Sequence, residues 1–169
     1  AEALVRWNSL RQGFMAPAEF VPLAEYLGLI TPIGDHIMER AAKSCKHWND
    51  NGHPDYHVNV NLSVIQLLQK DIVEKVRKVL TDTQVNPANI RLEVTESLAI
   101  NDIDRMVMIL SQIKELGVGV ALDDFGTGYS SLNHIRKLPI DVIKIDKCFI
   151  DHIADDDFSQ AFVKMVVQL

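Results

Sequence analysis

Five short stretches of the chain alternate apolar and polar residues with a period of two, and helical patterns separate them. Residues 2–7, 56–62, 90–96, 118–123 and 141–147 are expected as strands. Residues 19–50 carry two helical patterns, expected to break near Thr31-Pro32 and to close at Asp50-Asn51-Gly52. Residues 64–81 place Ile65, Leu68, Ile72, Val76 and Val79 on one helical face. Residues 102–116 repeat that period through Ile103, Val107, Leu110 and Ile113, and Gly117 suits the position just past a helix end. Shorter helical stretches are expected at 130–137 and from about 157 onward. Strand–helix alternation at this spacing implies parallel strands with right-handed crossovers in a single α/β domain.

The same alternation sorts residues by face. Glu2, Leu4 and Arg6 share one side of the first strand, and Ala3, Val5 and Trp7 the other. His57, Asn59 and Asn61 oppose Val58, Val60 and Leu62; Arg91, Glu93 and Thr95 oppose Leu92 and Val94; Lys144 and Asp146 oppose Ile143 and Ile145. A doubly wound sheet covered on both faces reads as continuous apolar runs. One polar face instead suits a barrel whose inner wall carries a site, and the polar residues sit toward the C-terminal strand ends, where α/β folds place their chemistry. A complete (β/α)₈ barrel takes about 250 residues. The 169 residues and five strands are therefore expected to be part of one, cut at both ends, with its sheet edges covered by further chain or by a neighbour.

Composition narrows the function classes. Hydrophobic content of 47% and charged content of 24% are those of an ordinary globular protein. A net charge of −6 argues against a DNA or RNA polymer as partner, which would call for a basic surface. No apolar run reaches the roughly 20 residues of a membrane span. Cys45 and Cys148 lie far apart with no metal-ligand spacing, which favours a reducing, cytoplasmic setting. Pro54 and the strand pattern deny His53 and His57 a common helix face and argue against a zinc pair, and Trp7 and Trp48 are expected to be packing residues.

The chemistry concentrates in "GVGVALDDFGTGYSSL", residues 117–132, where an apolar run drives into Asp123 and Asp124. Alone, such a pair before a glycine turn also fits a solvated loop. If Glu2, Glu93, Asp123, Asp124 and Asp146 converge with Asn61 at one strand end, a cation must compensate them. Oxygen donors without cysteine or histidine select magnesium, manganese or calcium over zinc. Two such ions about 4 Å apart form a clamp for in-line attack on a phosphodiester.

Five motifs then occur in a fixed order: "EAL" at 2–4 with Val5-Arg6-Trp7, "NLS" at 61–63, "EVTES" at 93–97, "DDFGTGYSSL" at 123–132 and "KIDKCFI" at 144–150. Together with "GFMAPAEFVPLAEYLGLI" at 13–30, they resemble the bacterial EAL domain over nearly the whole chain. The resemblance implies an EAL-type, TIM-like (β/α)₈ barrel, about five of whose strands this chain covers. It implies hydrolysis of cyclic di-GMP to linear pGpG by a two-metal mechanism, with two Mg2+ or Mn2+ ions. The alternative is a non-catalytic cyclic di-GMP sensor or a dimerisation module.

By the same resemblance, Glu2, Asn61, Glu93 and Asp123 hold the first metal, Asp123 and Asp124 the second, and Asp146 supports the site. Lys144, Asp123 and Glu96 are the implied catalytic residues; Lys144 meets the attacking water, and Glu96 orders the 125–131 turn. Leu4 and Arg6 are implied to bind substrate. The implied partners are cyclic di-GMP, a second copy in a homodimer and other domains of a parent chain, whose membrane attachment stays open. A later glutamate in the family's Glu-Gly-Val-Glu motif lies outside these residues, so they are expected to be inactive on their own.

Overall fold

A computed structural model describes residues 1–96, 103–128 and 135–168. Its chain order is β1 (Glu2–Ala3), β2 (Trp7–Ser9), β3 (Gly13–Met15), α1 (Pro17–Tyr26), α2 (Ile30–Asp50), β4 (Val58–Asn61), α3 (Val64–Leu67) and α4 (Ile72–Thr83). Then follow β5 (Ile90–Thr95), α5 (Ile103–Glu115), β6 (Gly119–Phe125), β7 (Val142–Ile145) and α6 (Asp157–Val167). Strands β1, β4, β5, β6 and β7 form one sheet in that order, every pair parallel. The α/β class and parallel sheet expected from the alternation are present.

Period two explains the packing. Val58, Val60, Ile90, Leu92, Val94, Val120 and Leu122 put one face of the sheet against Met38, Ala42 and Cys45 of α2, Ile72 and Val76 of α4, and Met106, Leu110 and Ile113 of α5. All of these are buried. Removing each large aliphatic side chain from water contributes roughly 1.5–3 kcal/mol, so this face dominates stability. The opposite face carries Glu2, Asn59, Asn61, Glu93 and Asp123.

Helix ends follow local chemistry. At α3, Ser63 Oγ accepts from Gln66 N at 3.2 Å while Ser63 N donates to Gln66 Oε1 at 3.3 Å, a reciprocal cap. Gly117, at φ +87°, ends α5 as its spacing predicted. Asp156 Oδ2 accepts from Ser159 N at 3.0 Å and starts α6.

Four expectations are corrected. The first strand does not run from 2 to 7: β1 ends at Ala3, and Trp7–Ser9 pairs antiparallel with Gly13–Met15 in a separate hairpin. Leu4 and Arg6 therefore do not share a strand face with Glu2. The 64–81 helix is interrupted between Leu67 and Ile72, and Ile65 is consequently exposed. The α1–α2 break falls at Leu27–Leu29, where Gly28 takes φ +71°; Pro32 lies inside the first turn of α2, where its missing N–H costs no helical hydrogen bond. Most of the helix expected at 130–137 lies outside the described residues. Trp7 packs edge-on against Phe20, centroids 5.5 Å apart, yet stays partly exposed. Cys45 is buried, Cys148 is exposed, and neither is in a disulfide. No helix among the described residues is long and apolar enough to cross a membrane.

Candidate active site

Register brings the polar residues of β1, β4 and β5 side by side. Glu2 pairs with Asn59, and Asn61 with Glu93, across adjacent parallel strands. Asn61 Nδ2 donates to Glu2 Oε1 at 2.8 Å, and Asn59 Nδ2 to Glu93 Oε1 at 2.7 Å. Glu93 is wholly buried. Its Oε2 has no hydrogen-bond partner, and neither has the buried Oδ1 of Asn59. A buried carboxylate with one unpartnered oxygen is costly unless positive charge reaches it.

Lys144 on β7 supplies part of that charge. Its ammonium lies 2.8 Å from Glu93 Oε1, 3.0 Å from Asp123 Oδ2 and 3.9 Å from Glu2 Oε2. Ala121, the register partner of Glu93 on β6, has a side chain too short to obstruct this reach. Burial by itself pulls the lysine pKa down, but hydrogen bonds to Glu93 and Asp123 outweigh it and hold the ammonium above its ordinary value.

The paired aspartates occupy a β-bulge. Strands β6 and β7 pair in step at Leu122–Ile143 and again at Phe125–Ile145, so Asp123 and Asp124 together face the single residue Lys144. Asp124 takes φ +54°, a left-handed conformation tolerated by short polar side chains. In a regular strand two neighbours point to opposite faces; here Asp124 is within electrostatic reach of Asp123, Asp146, Lys144 and Glu2. Partial desolvation, then the Asp123 charge, push its pKa above the ordinary aspartate value.

Beyond the bulge, Thr127 Oγ1 donates to Asp124 O at 2.9 Å and closes the turn. The buried Glu96 accepts from Gly126 N at 2.9 Å and Gly128 N at 3.0 Å, both on Oε2. A Cβ at 128 would come within 2.9 Å of the Glu96 carboxyl carbon, so that glycine answers a close approach. Asp146 lies just past β7; its Oδ1 accepts from Cys148 N at 2.8 Å and starts a short 3₁₀ turn, Lys147–Phe149.

Leu4 lines a cavity of about 410 Å³ that reaches Asn61 and Glu93 and is walled by Pro17, Val21 and Gln66. Arg6 donates to Val5 O at 2.9 Å and lines, together with Glu2 and Leu4, a neighbouring groove with His36 and Arg40. Asn59 was foreseen as inward-facing but not as the residue that holds Glu93; the Asn-Val-Asn alternation was its only signal. Among the described residues no three acidic, histidine or cysteine groups close on one coordination point. The donor set nonetheless fits a hard divalent ion: all its atoms are oxygens, and Glu93 Oε2 is unpartnered beside them.

The family model of the EAL domain matches residues 1–169. The chain belongs to the EAL domain family. It is 42% identical over 168 residues to the bifunctional diguanylate cyclase/cyclic di-GMP phosphodiesterase MucR of Pseudomonas aeruginosa, covering 99% of this chain and 24% of that protein. It is 37% identical over 166 residues to the cyclic di-GMP phosphodiesterase PdeR of Escherichia coli, covering 98% and 25%. The chain thus spans about a quarter of the length of these curated relatives.

The solved PaMucR phosphodiesterase–c-di-GMP complex superposes with a TM-score of 0.93 at 42% identity, over 99% of this chain and 68% of that one. The EAL enzyme Bd1971 with cAMP and cyclic di-GMP bound gives 0.91 at 31% identity, over 99% and 46%. The five-stranded sheet of this EAL chain is accordingly an arc of the EAL-type TIM barrel.

Proposed function

We propose that this EAL domain hydrolyses one phosphodiester bond of cyclic di-GMP to give linear pGpG. The observation that carries the proposal is the buried Glu93 carboxylate, unpartnered at Oε2, set in one polar row with Glu2, Asn61, Asp123 and Lys144. The relatives' names, cyclic di-GMP phosphodiesterases, support the substrate. Glu2, Asn61, Glu93 and Asp123 would hold one Mg2+ or Mn2+, and Asp123 with Asp124 a second, with Asp146 beside them. Such ions supply Lewis-acid charge to phosphoryl oxygens and lower the pKa of bound water.

The chain's own groups have distinct tasks. Lys144, hydrogen-bonded to Glu93 and Asp123, is placed to orient an attacking water and to neutralise developing charge. Glu96 fixes the Gly126–Gly128 turn and so the backbone that carries the aspartates. Leu4 offers apolar contact beside Asn61 and Glu93, and the Arg6 guanidinium suits a phosphate. Phe158 and Val167, exposed on α6, support pairing of two copies. Unpaired cysteines and the substrate support a cytoplasmic setting.

Incubating the intact EAL domain, the later glutamate motif included, with cyclic di-GMP and Mn2+ or Mg2+, with chromatography of the products, tests the function. Metal-dependent pGpG formation is the expected result. Tight binding without turnover would replace the hydrolase with a sensor.

A further inference from the structure

Behind the two aspartates, three phenylalanine rings meet. Phe162 of α6 stacks on Phe125 at the end of β6, centroids 5.6 Å apart, and on Phe149 of the 3₁₀ turn, centroids 4.2 Å apart. These rings lie directly on the backbone of Gly126: a Cβ there would fall 2.4 Å from Phe149 Cε2 and 2.6 Å from Phe162 Cζ. Gly126 itself takes φ +106° and donates its N–H to Glu96 Oε2 at 2.9 Å. The segment carrying Asp124 is therefore gripped by the rings and by a buried carboxylate.

Asp124 needs such a grip more than Asp123 does. Asp123 sits in the ladder opposite Thr95 and holds Lys144, whereas Asp124 is in a left-handed conformation inside a bulge. For a residue other than glycine that conformation costs roughly 1–2 kcal/mol and persists only where the surroundings over-determine it. Thr127 secures the Asp124 carbonyl; in the next peptide, up to Gly126, Phe125 O accepts from Asp146 N at 3.2 Å, while the Gly126 side is held by Glu96 and the rings.

We propose that Phe149 and Phe162 are positioning residues of the active site, clamping Gly126 against Glu96 so that Asp124 presents its carboxylate beside Asp123. This rests on the proposed function, in which Asp124 is an ion ligand. The rings do not touch substrate; they act through the backbone of the bulge. Helix α6 is thereby tied to the metal-binding end of the sheet, although the helix carries none of the ligands assigned above.

The test uses the intact EAL domain, the later glutamate motif included, with Phe162→Ala, the gentler Phe162→Leu, and Phe162→Tyr as the conservative variant. Mn2+ binding is measured by calorimetry without substrate, and kcat and KM for cyclic di-GMP are measured separately. Phe162→Ala is expected to weaken Mn2+ binding about ten-fold and lower kcat by at least about ten-fold, with KM little changed; displacements of this kind cost up to about a hundred-fold. Phe162→Tyr restores both, and Phe162→Leu substitutes where the alanine variant does not fold. Ile113→Val, which trims the core away from the site, should lower the melting temperature but leave Mn2+ affinity intact.

Unchanged Mn2+ affinity in Phe162→Ala, or an equal loss in Ile113→Val, overturns the clamp. A wild-type chain that binds Mn2+ but does not hydrolyse cyclic di-GMP removes the proposed activity, and the calorimetry still decides the clamp. A wild-type chain that binds no Mn2+ overturns both.

Discussion

The β1–β4–β5 side of the site and the β6–β7 side are built on different principles. On the first, Glu2, Asn59, Asn61 and Glu93 keep regular ladder register, and the asparagine amides tie each carboxylate to the next strand. On the second, register slips, two aspartates share one partner residue, and the turn is held from outside by Glu96 and two phenylalanines. A regular ladder places side chains every second residue and cannot bring adjacent ones to a common point. The bulge sets Asp123 and Asp124 against the single residue Lys144, and it carries a left-handed residue that the ladder does not.

That contrast can be tested from its strongest consequence downward. Asp123→Ala removes the residue assigned to both ions and the partner of Lys144, so hydrolysis by the intact domain should fall by at least about a thousand-fold, equivalent to roughly 4 kcal/mol. Formation of pGpG with saturating Mn2+ measures it; turnover near wild type would dissolve the two-metal assignment. Glu96→Ala should cost about ten- to a hundred-fold in kcat while Mn2+ affinity falls far less than in Asp123→Ala, because Glu96 holds a turn and no ion. A collapse of Mn2+ affinity equal to that of Asp123→Ala would instead make Glu96 a ligand.

The regular side is probed by Asn59→Ala. Losing the amide leaves the buried Glu93 with Lys144 as its remaining donor, a destabilisation of roughly 1–3 kcal/mol in urea unfolding. An unchanged midpoint would show that Asn59 does not hold Glu93 in solution.

The smallest expected effect has the opposite sign. Asp124 has its pKa raised in the fold, so above that value its charge opposes folding, and the opposition is relieved as pH falls through it. Asp124→Asn keeps a side chain suited to the left-handed conformation and removes the charge. In metal-free buffer at neutral pH it should stabilise the fold by less than about 0.5 kcal/mol after solvent screening, read as a slightly higher melting temperature. The gain should shrink toward acid pH; a drop in melting temperature would mean that the Asp124 charge stabilises the fold.

Much of this was legible from residue order alone. Period-two alternation located the five parallel strands and named the inward-facing Asn59, Asn61, Glu93 and Lys144, because the side-chain direction of a strand follows from sequence parity. Helical period located α5 and its end at Gly117 in the same way. Parity failed at residues 2–7, where alternation continued although the backbone left the sheet for a hairpin. It also failed within 64–81, where apolar spacing suited a single helix and the chain made two.

What parity could not reach lies at Asp123–Phe125. Whether adjacent aspartates share a face depends on the register of β7 against β6, and that register is a pairing between residues about twenty apart in sequence. The contact of Phe149 and Phe162 with Gly126 is likewise decided by where α6 comes to rest. The sequence by itself determined the strands, their polar face and the oxygen-rich donor set, since those depend on local periodicity and residue chemistry. Only the tertiary structure decided how Asp123 and Asp124 sit against Lys144, because that turns on a bulge and on the packing of distant elements across it.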